Sequence, residues 1–368
     1  QGQVAVHIAA LNASGVPVLA VDLPSGLDGD TGQPSGFNSD AINNIASHAG
    51  NTLATAQFCL NLLTLKPGVF TASGKDAAGQ VWWDDLGTAP TQAPTAMLMG
   101  NQHAVRPARA HNTHKGSYGD VAVLGGALGM TGAALLAARA ALHAGAGRVF
   151  VALLDGAGLA VDPQQPELMF RRPDQLDLPH STVVRGCGGG DAVRAVLPEA
   201  LSRARGLVLD ADALNAIAAA SSLQALLLAR AAKGLPTVLT PHPLEAARLA
   251  GCSAAQIQAQ RLHGAQQLAQ RFACTVVLKG ASSILAAPGQ LPRINASGNA
   301  RLATAGTGDV LAGMVGAALG ARLQDTQDLR PAAFDAACWA TAAHGLLADR
   351  WPIGHALSAS RLAQADLR

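Results

Sequence analysis

The chain predicts an α/β protein in which a largely parallel central sheet carries helices on both faces. Three observations predict it. Short apolar runs alternate with helical stretches along most of the sequence. Nearly every run stops at a polar or glycine turn, as strands do when they deliver ligand-binding loops to one sheet edge. Alanine dominates an apolar content of 49%, with 40 glycines and only 3% aromatic residues, which suits close packing of helices on a sheet.

In chain order, 3–11 reads as a helix end, 12–15 as a turn and 17–22 as an apolar strand closing on Pro24-Ser25-Gly26. Loop and strand material follows, with Trp82 and Trp83 beside Asp84 and Asp85. A linker spans 88–109 with Pro90, Pro94 and Pro107, and a domain boundary is expected there, dividing 1–98 from 99–368. Beyond it, strands are expected at 119–124, 148–154, 183–185, 207–210, 237–240 and 275–279. Helices are expected at 132–144, 191–203, 244–249, 254–272, 308–321 and 331–350. The opening at Gln1 rather than Met reads as a piece of a longer protein.

With 368 residues the chain can bury two cores, and 14% charged residues argue against disorder. A formal net charge of +2 gives no reason to expect a nucleic-acid or membrane partner. Mean hydropathy is positive, yet Arg139, His143 and Asp309 interrupt the most apolar stretches, so none reaches the ~18 residues of a spanning helix. The five cysteines are scattered, without a CxxC pair, and are expected to be buried small hydrophobes in a reducing, cytoplasmic compartment.

Candidate chemistry lies just past the apolar runs. Gly306-Thr307-Gly308-Asp309 precedes an apolar helix, where amides and the helix dipole can hold an anion. Asp309 is expected to stay ionised and accept a proton from a substrate hydroxyl, an arrangement suited to phosphoryl transfer. The same four residues could also merely cap a helix. Lys279-Gly280-Ala281-Ser282-Ser283 ends another run, where the lysine can reach a phosphate or simply be solvated. In Thr240-Pro241-His242-Pro243-Leu244-Glu245, His242 and Glu245 can face the cleft, or Glu245 can only complement the helix dipole. Asp210 can hold a metal through water or orient a phosphate, while Asp212 reads as an N-cap. Gly125, Gly126, Gly186, Gly188, Gly189 and Gly190 allow close backbone approach, or are plain turns. GxxxxGK[ST] is absent, as is a helix-opening GxGxxG with its acidic partner, which disfavours a P-loop enzyme and a hydride-transfer dehydrogenase.

Taken in order, HKGSYGDVAVLGG, Gly132-Ala133, Pro166-Glu167-Leu168, VLDADALN, TPHPLE, VLKGAS and NASGNARLATAGTGDVLAG resemble the ADP-dependent NAD(P)H-hydrate dehydratases, a ribokinase-like group, over 111–368. The resemblance implies that Lys279, Gly280, Ala281, Ser282, Ser283 and Gly308 contact ADP, with Gly306 and Thr307 in the same cradle and Mg²⁺ on the phosphates. It further implies that Ala133, Gly188, His242 and Asp309 contact NADH or NADPH hydrate, that Asp309 is catalytic, and that the protein is a homo-oligomer, a tetramer. Where these proteins usually have Pro, this chain has Cys187. The choice of ADP over ATP also comes from the resemblance.

Val21 to Asp28, with Lys66-Pro67-Gly68, is similar to the closing part of a Rossmann-like NAD(P)H-hydrate epimerase domain. That likeness implies Asp22 on the hydrate and Ser25 on a potassium ion. The Asn-Gly-Gly-Asp-Gly loop of those domains is missing here, so no epimerase activity is expected. Two alternatives stand beside the dehydratase: an ATP-dependent kinase for a vitamin precursor, and a non-catalytic nucleotide-binding module.

Overall fold

The apolar runs between residues 97 and 295 assemble, in the computed structural model, into a single ten-stranded sheet. The structure describes residues 3–35, 53–105, 108–156, 158–325 and 329–366, so Gln1, Pro107 and Arg368 lie outside the described residues. Its strands are β4 (Met97–Met99), β5 (Asp120–Gly125), β6 (Arg148–Leu153), β7 (Met169–Phe170), β8 (Ser181–Arg185), β9 (Gly206–Leu209), β10 (Thr237–Leu239), β11 (Thr275–Leu278), β12 (Ile284–Ala286) and β13 (Arg293–Asn295). They lie in the order β4-β13-β12-β11-β10-β9-β8-β5-β6-β7. Pairing is parallel except at β12, which runs antiparallel to both neighbours. Strands β8, β9 and β11 are buried at every residue, which is why they read as unbroken apolar runs rather than alternating ones.

One face is covered by α3 (Thr131–His143), α10 (Thr307–Asp325) and α11 (Leu329–Asp349). The other carries α4 (Val193–Arg203), α5 (Ala211–Ala219), α6 (Ser221–Ala232), α7 (Pro243–Ala250), α8 (Ala254–Ala259) and α9 (Arg261–Phe272). Helix α10 lies unusually close to its neighbours. A Cβ on Gly313 would sit 2.0 Å from the Ala137 carbonyl of α3, and one on Gly316 would sit 2.4 Å from Val184 of β8. Arg139, one of the charges interrupting the apolar stretches, is buried in α3 and forms two hydrogen bonds with Asp162, 2.7 and 2.8 Å long.

A smaller unit precedes the sheet: α1 (Gln3–Ala13), α2 (Gly74–Ala78) and a three-stranded parallel sheet of β1 (Leu19–Val21), β2 (Phe58–Leu62) and β3 (Gln80–Asp84). Its core, around Leu27, Cys59, Val69 and Ala78, is separate from the other two.

Three expectations change. The linker contains β4, an edge strand parallel to β13, hidden in sequence because three residues between prolines carry no pattern. The helix expected over 254–272 breaks at Gln260, which leaves the helical region with φ −139 and ψ 61. Of the five cysteines, Cys252 is exposed while the other four are buried. No single helix among the described residues is long and apolar enough to cross a membrane; α5 and α6 pass only as a pair, and they are bent by 109°.

Candidate active site

The strand ends and the α10 N-terminus converge on one carboxylate, Asp210. It follows β9 and occupies the position before α5, where its own side chain caps nothing. Instead its Oδ1 accepts from Lys279 Nζ at 2.7 Å and from Thr240 Oγ1 at 2.7 Å. Asp210 is 2% exposed, so the ammonium beside it offsets the cost of burying the carboxylate. Lys279 therefore does not project into solvent from the end of β11. Burial opposes its charge, but Asp210, together with Glu245 at 4.0 Å, holds its pKa above the ordinary lysine value.

His242 and Glu245 open α7 as a reciprocal cap. Glu245 Oε2 accepts from the His242 amide at 2.8 Å, and the Leu244 amide donates to His242 Nδ1 at 3.1 Å. With Nδ1 accepting, the ring proton belongs on Nε2, which faces Glu245 Oε1 at 3.1 Å. Glu245 is thus more than a complement to the helix dipole. It is buried, which would raise its pKa, but the hydrogen bonds it receives from the His242 ring and amide, together with the Lys279 charge, hold that pKa down.

Helix α10 begins at Thr307, whose hydroxyl donates to Leu302 O at 2.8 Å and Thr304 O at 2.9 Å. Its first-turn amides have no partner within the helix, leaving positive potential at the site. A Cβ on Gly308 would point at Lys279 Nζ, 3.4 Å away, and at Asp210 Oδ2, 4.0 Å away. The bare glycine therefore leaves open the space between the lysine and the helix end.

Asp309 departs from its expected ionised state. Burial, followed by the nearby charge of Asp210, raises its pKa to about 7, although the Cys187 thiol and Lys279 both act in the opposite direction. Cys187 is buried, and its thiol hydrogen-bonds the Asp309 carboxylate. Ligand atoms of Cys187, Asp210 and Asp309 all lie within 4.8 Å of one another, a cluster that no local spacing in the sequence reveals.

The loop after β8 carries Cys187 and Gly188. It is tied to the loop after β5 by Gly126 N to Cys187 O at 3.0 Å and Ala127 N to Gly188 O at 2.7 Å. Gly188 has φ +58, and a Cβ there would lie 2.9 Å from that of Ala133, so those two candidate residues are neighbours. Asp212 is not the N-cap; its Oδ2 accepts from the Gly190 amide at 2.8 Å and so fastens this loop to α5.

Within 279–283, Gly280 and Ala281 are exposed, whereas Ser282 is turned inward at φ +51 with its hydroxyl unpartnered. Sequence reasoning missed Thr240 as a partner of Asp210. It also missed His344 of α11, a buried ring whose Nε2 lies 3.0 Å from the Thr307 carbonyl and whose pKa burial lowers to about 4. Asp22 and Ser25 lie apart, at the end of β1 in the smaller unit. Asp22 pairs with Lys66 and accepts from the Leu62 amide at 3.0 Å, while Ser25 is exposed.

A family profile described as NAD(P)H-hydrate dehydratase matches residues 121–366, and one described as the YjeF-related protein N-terminus matches 1–68. The bifunctional NAD(P)H-hydrate repair enzyme of Escherichia coli is 35% identical over 351 residues, covering 92% of this chain and 62% of the relative. The chain thus spans about three fifths of that enzyme's length. The ADP-dependent (S)-NAD(P)H-hydrate dehydratase of Neisseria meningitidis is 41% identical, covering 66% of this chain and 80% of the relative. Among solved structures, the ADP/ATP-dependent NAD(P)H-hydrate dehydratase of Bacillus subtilis, crystallised with ATP and Mg²⁺, superposes with a TM-score of 0.58 at 27% identity. That match covers 74% of this chain and 96% of the other. The overall frame is ribokinase-like.

Proposed function

The chain belongs to the NAD(P)H-hydrate dehydratase family, and from that premise we propose that it returns (6S)-hydrated NADH or NADPH to the intact dinucleotide at the expense of ADP. The observation that carries the reading is the meeting of the Lys279–Asp210 pair with the open α10 N-terminus at Gly308-Asp309. Hydroxide leaves a hydrated nicotinamide ring poorly, whereas phosphate leaves well. The ring hydroxyl gives its proton to Asp309 and its oxygen attacks the terminal phosphorus of ADP, breaking the bond to AMP. The ring nitrogen lone pair then expels phosphate, and loss of the neighbouring ring proton restores the double bond.

Lys279 and the amides of Gly306 to Asp309 stabilise the charge on the transferring group. Gly280, Ala281, Ser282 and Ser283 line the nucleotide side, and Ala133, Gly188 and His242 the dinucleotide side. Mg²⁺, when bound, neutralises phosphate charge. Of the acidic cluster, Asp210 is the donor that suits a hard cation, since Lys279 occupies only Oδ1 and the Cys187 thiol is too soft.

The division into 1–98 and 99–368 is part of the proposal, with β4 lying across it. So are a homotetramer and a cytoplasmic location. Asp22 and Ser25 belong to an epimerase-like unit, where Asp22 would touch the hydrate and Ser25 would hold potassium.

The test is absorbance at 340 nm with NADH hydrate, Mg²⁺ and ADP or ATP. Recovery of the NADH band with ADP, accompanied by AMP and phosphate, is expected. Asp309→Asn is expected to lower turnover by ~10²–10⁴-fold while ADP still binds. Near-normal turnover by that variant would falsify the assignment of Asp309. A stable phosphorylated product without NADH recovery would instead indicate a kinase.

A further inference from the structure

We infer that Lys75 and Gln33, both in the N-terminal unit, are positioning residues for the two nucleotide loops of the larger domain. The inference rests on the reading above that 279–283 and 306–309 hold the nucleotide.

Lys75 lies on the short helix α2 and reaches out of its own unit. Its Nζ donates to Ala296 O at 3.0 Å and Gly298 O at 2.6 Å, two carbonyls of the loop leaving β13. That loop is pinned to α11 on its other side. Ser297 Oγ donates to Ala342 O at 3.0 Å, the Gly298 amide to Asp349 Oδ2 at 2.7 Å, and Asn299 Nδ2 to Ala348 O at 3.0 Å. The same helix carries His344, whose ring meets the Thr307 carbonyl. The loop itself runs on to Leu302, whose carbonyl receives the Thr307 hydroxyl. Two routes therefore lead from the Lys75 ammonium to the start of α10.

Gln33 makes the second brace. Its Nε2 donates to Gln258 O at 2.7 Å, just ahead of the break at Gln260. Arg261, the first residue after the break, is 2% exposed and donates to Gln258 Oε1 at 2.5 Å. Its other terminal nitrogen lies 3.3 Å from Lys279 O and 3.4 Å from Ser282 O. A Cβ on Gly280 would stand 2.7 Å from the guanidinium, so this arginine forms the floor of the loop after β11.

The two braces share a rigid base. Ser73 N donates to Gly32 O at 3.1 Å, and Thr71 Oγ1 to Thr31 O at 3.2 Å. A Cβ on Gly32 would lie 2.1 Å from Thr71 O. The patch bearing Gln33 and Lys75 therefore holds both loops from one side. In this view a unit resembling an epimerase serves the neighbouring reaction without contacting its substrates.

The experiment uses the full chain with Lys75→Met, Lys75→Arg and Gln33→Ala. Losing a charged donor to two carbonyls should raise KM for ADP about tenfold, with kcat within twofold. Lys75→Arg should restore most of the loss, and Gln33→Ala should show a smaller shift in the same direction. Hydrogen exchange without nucleotide should rise in 279–283 and 296–308 of Lys75→Met and stay unchanged in β5 and β8. Unchanged loop exchange in folded Lys75→Met, or a fall in Tm and soluble yield with KM unmoved, overturns the inference. Should the wild-type protein turn over no hydrate, the reading of the site fails, and the exchange measurement still decides the braces.

Discussion

Asp309 combines two demands that conflict at neutral pH. As the proposed base it would have to be ionised, yet burial and Asp210 raise its pKa to about 7. Turnover at limiting substrate should therefore rise through about pH 7 and level off above it, and a profile flat from pH 5 to 9 would remove Asp309 from that role. Cys187→Ala removes a donor that favours the ionised form, so the acid limb should move to higher pH. The same group bears on stability. Its folded pKa lies above the ordinary carboxylate value of 3.8, so its contribution is greatest in acid and is lost as pH rises through about 7. Asp309→Asn should accordingly melt at a higher temperature than wild type at pH 8, with the difference shrinking from about pH 7 towards 4. The place of Asp309 at the start of a helix was legible because its motif is local. Its protonation was not, because it depends on Asp210 and Cys187, each about a hundred residues away in the chain.

Elements were legible where a buried run stands between clear turn residues, and burial alone was not enough, since β12 is buried at every residue and was missed. Strands β5, β8, β9 and β11 announced themselves as apolar runs, and α10 and α11 by length. Strand β4 and the hairpin of β12 and β13 have three residues each and rest on pairing partners that local pattern cannot supply. Gln260 breaks its helix without a glycine or proline to mark it, and Arg261 beside it reaches the loop after β11, a long-range contact that local pattern does not show. At the other end of the scale of tolerance, Gly308 has helical geometry and only the site beside it. Gly308→Ala should leave Tm unchanged or slightly higher, since alanine is the better helix former by ~1 kcal/mol. The same change should weaken ADP binding at least tenfold by calorimetry, because the new methyl faces Lys279 and Asp210. Equal losses of Tm and affinity would mean that the glycine serves the fold.

At the scale of the molecule, a nucleotide bound as proposed at residues 279 and 308 would tie α10 to the ends of β9 and β11, which the Lys279–Asp210 bond already joins. ADP with Mg²⁺ at about a hundred times its dissociation constant should stabilise the fold by about 2.7 kcal/mol. Thermal melts at graded ADP should show Tm climbing with concentration, and a Tm that ignores ADP would place the nucleotide elsewhere or nowhere. The close seat of α10 has a consequence for how this protein tolerates change. Gly313 touches no reacting group, yet a methyl there would press into the Ala137 carbonyl, and Gly316 meets Val184 in the same way. A survey of substitutions scored by activity alone would rank these glycines with Asp309, and an inherited variant at Gly313 would be mistaken for a lesion of the chemistry. Soluble yield recorded beside activity tells the two apart: Asp309 variants would accumulate as inactive protein, whereas Gly313 variants would fail to accumulate at all.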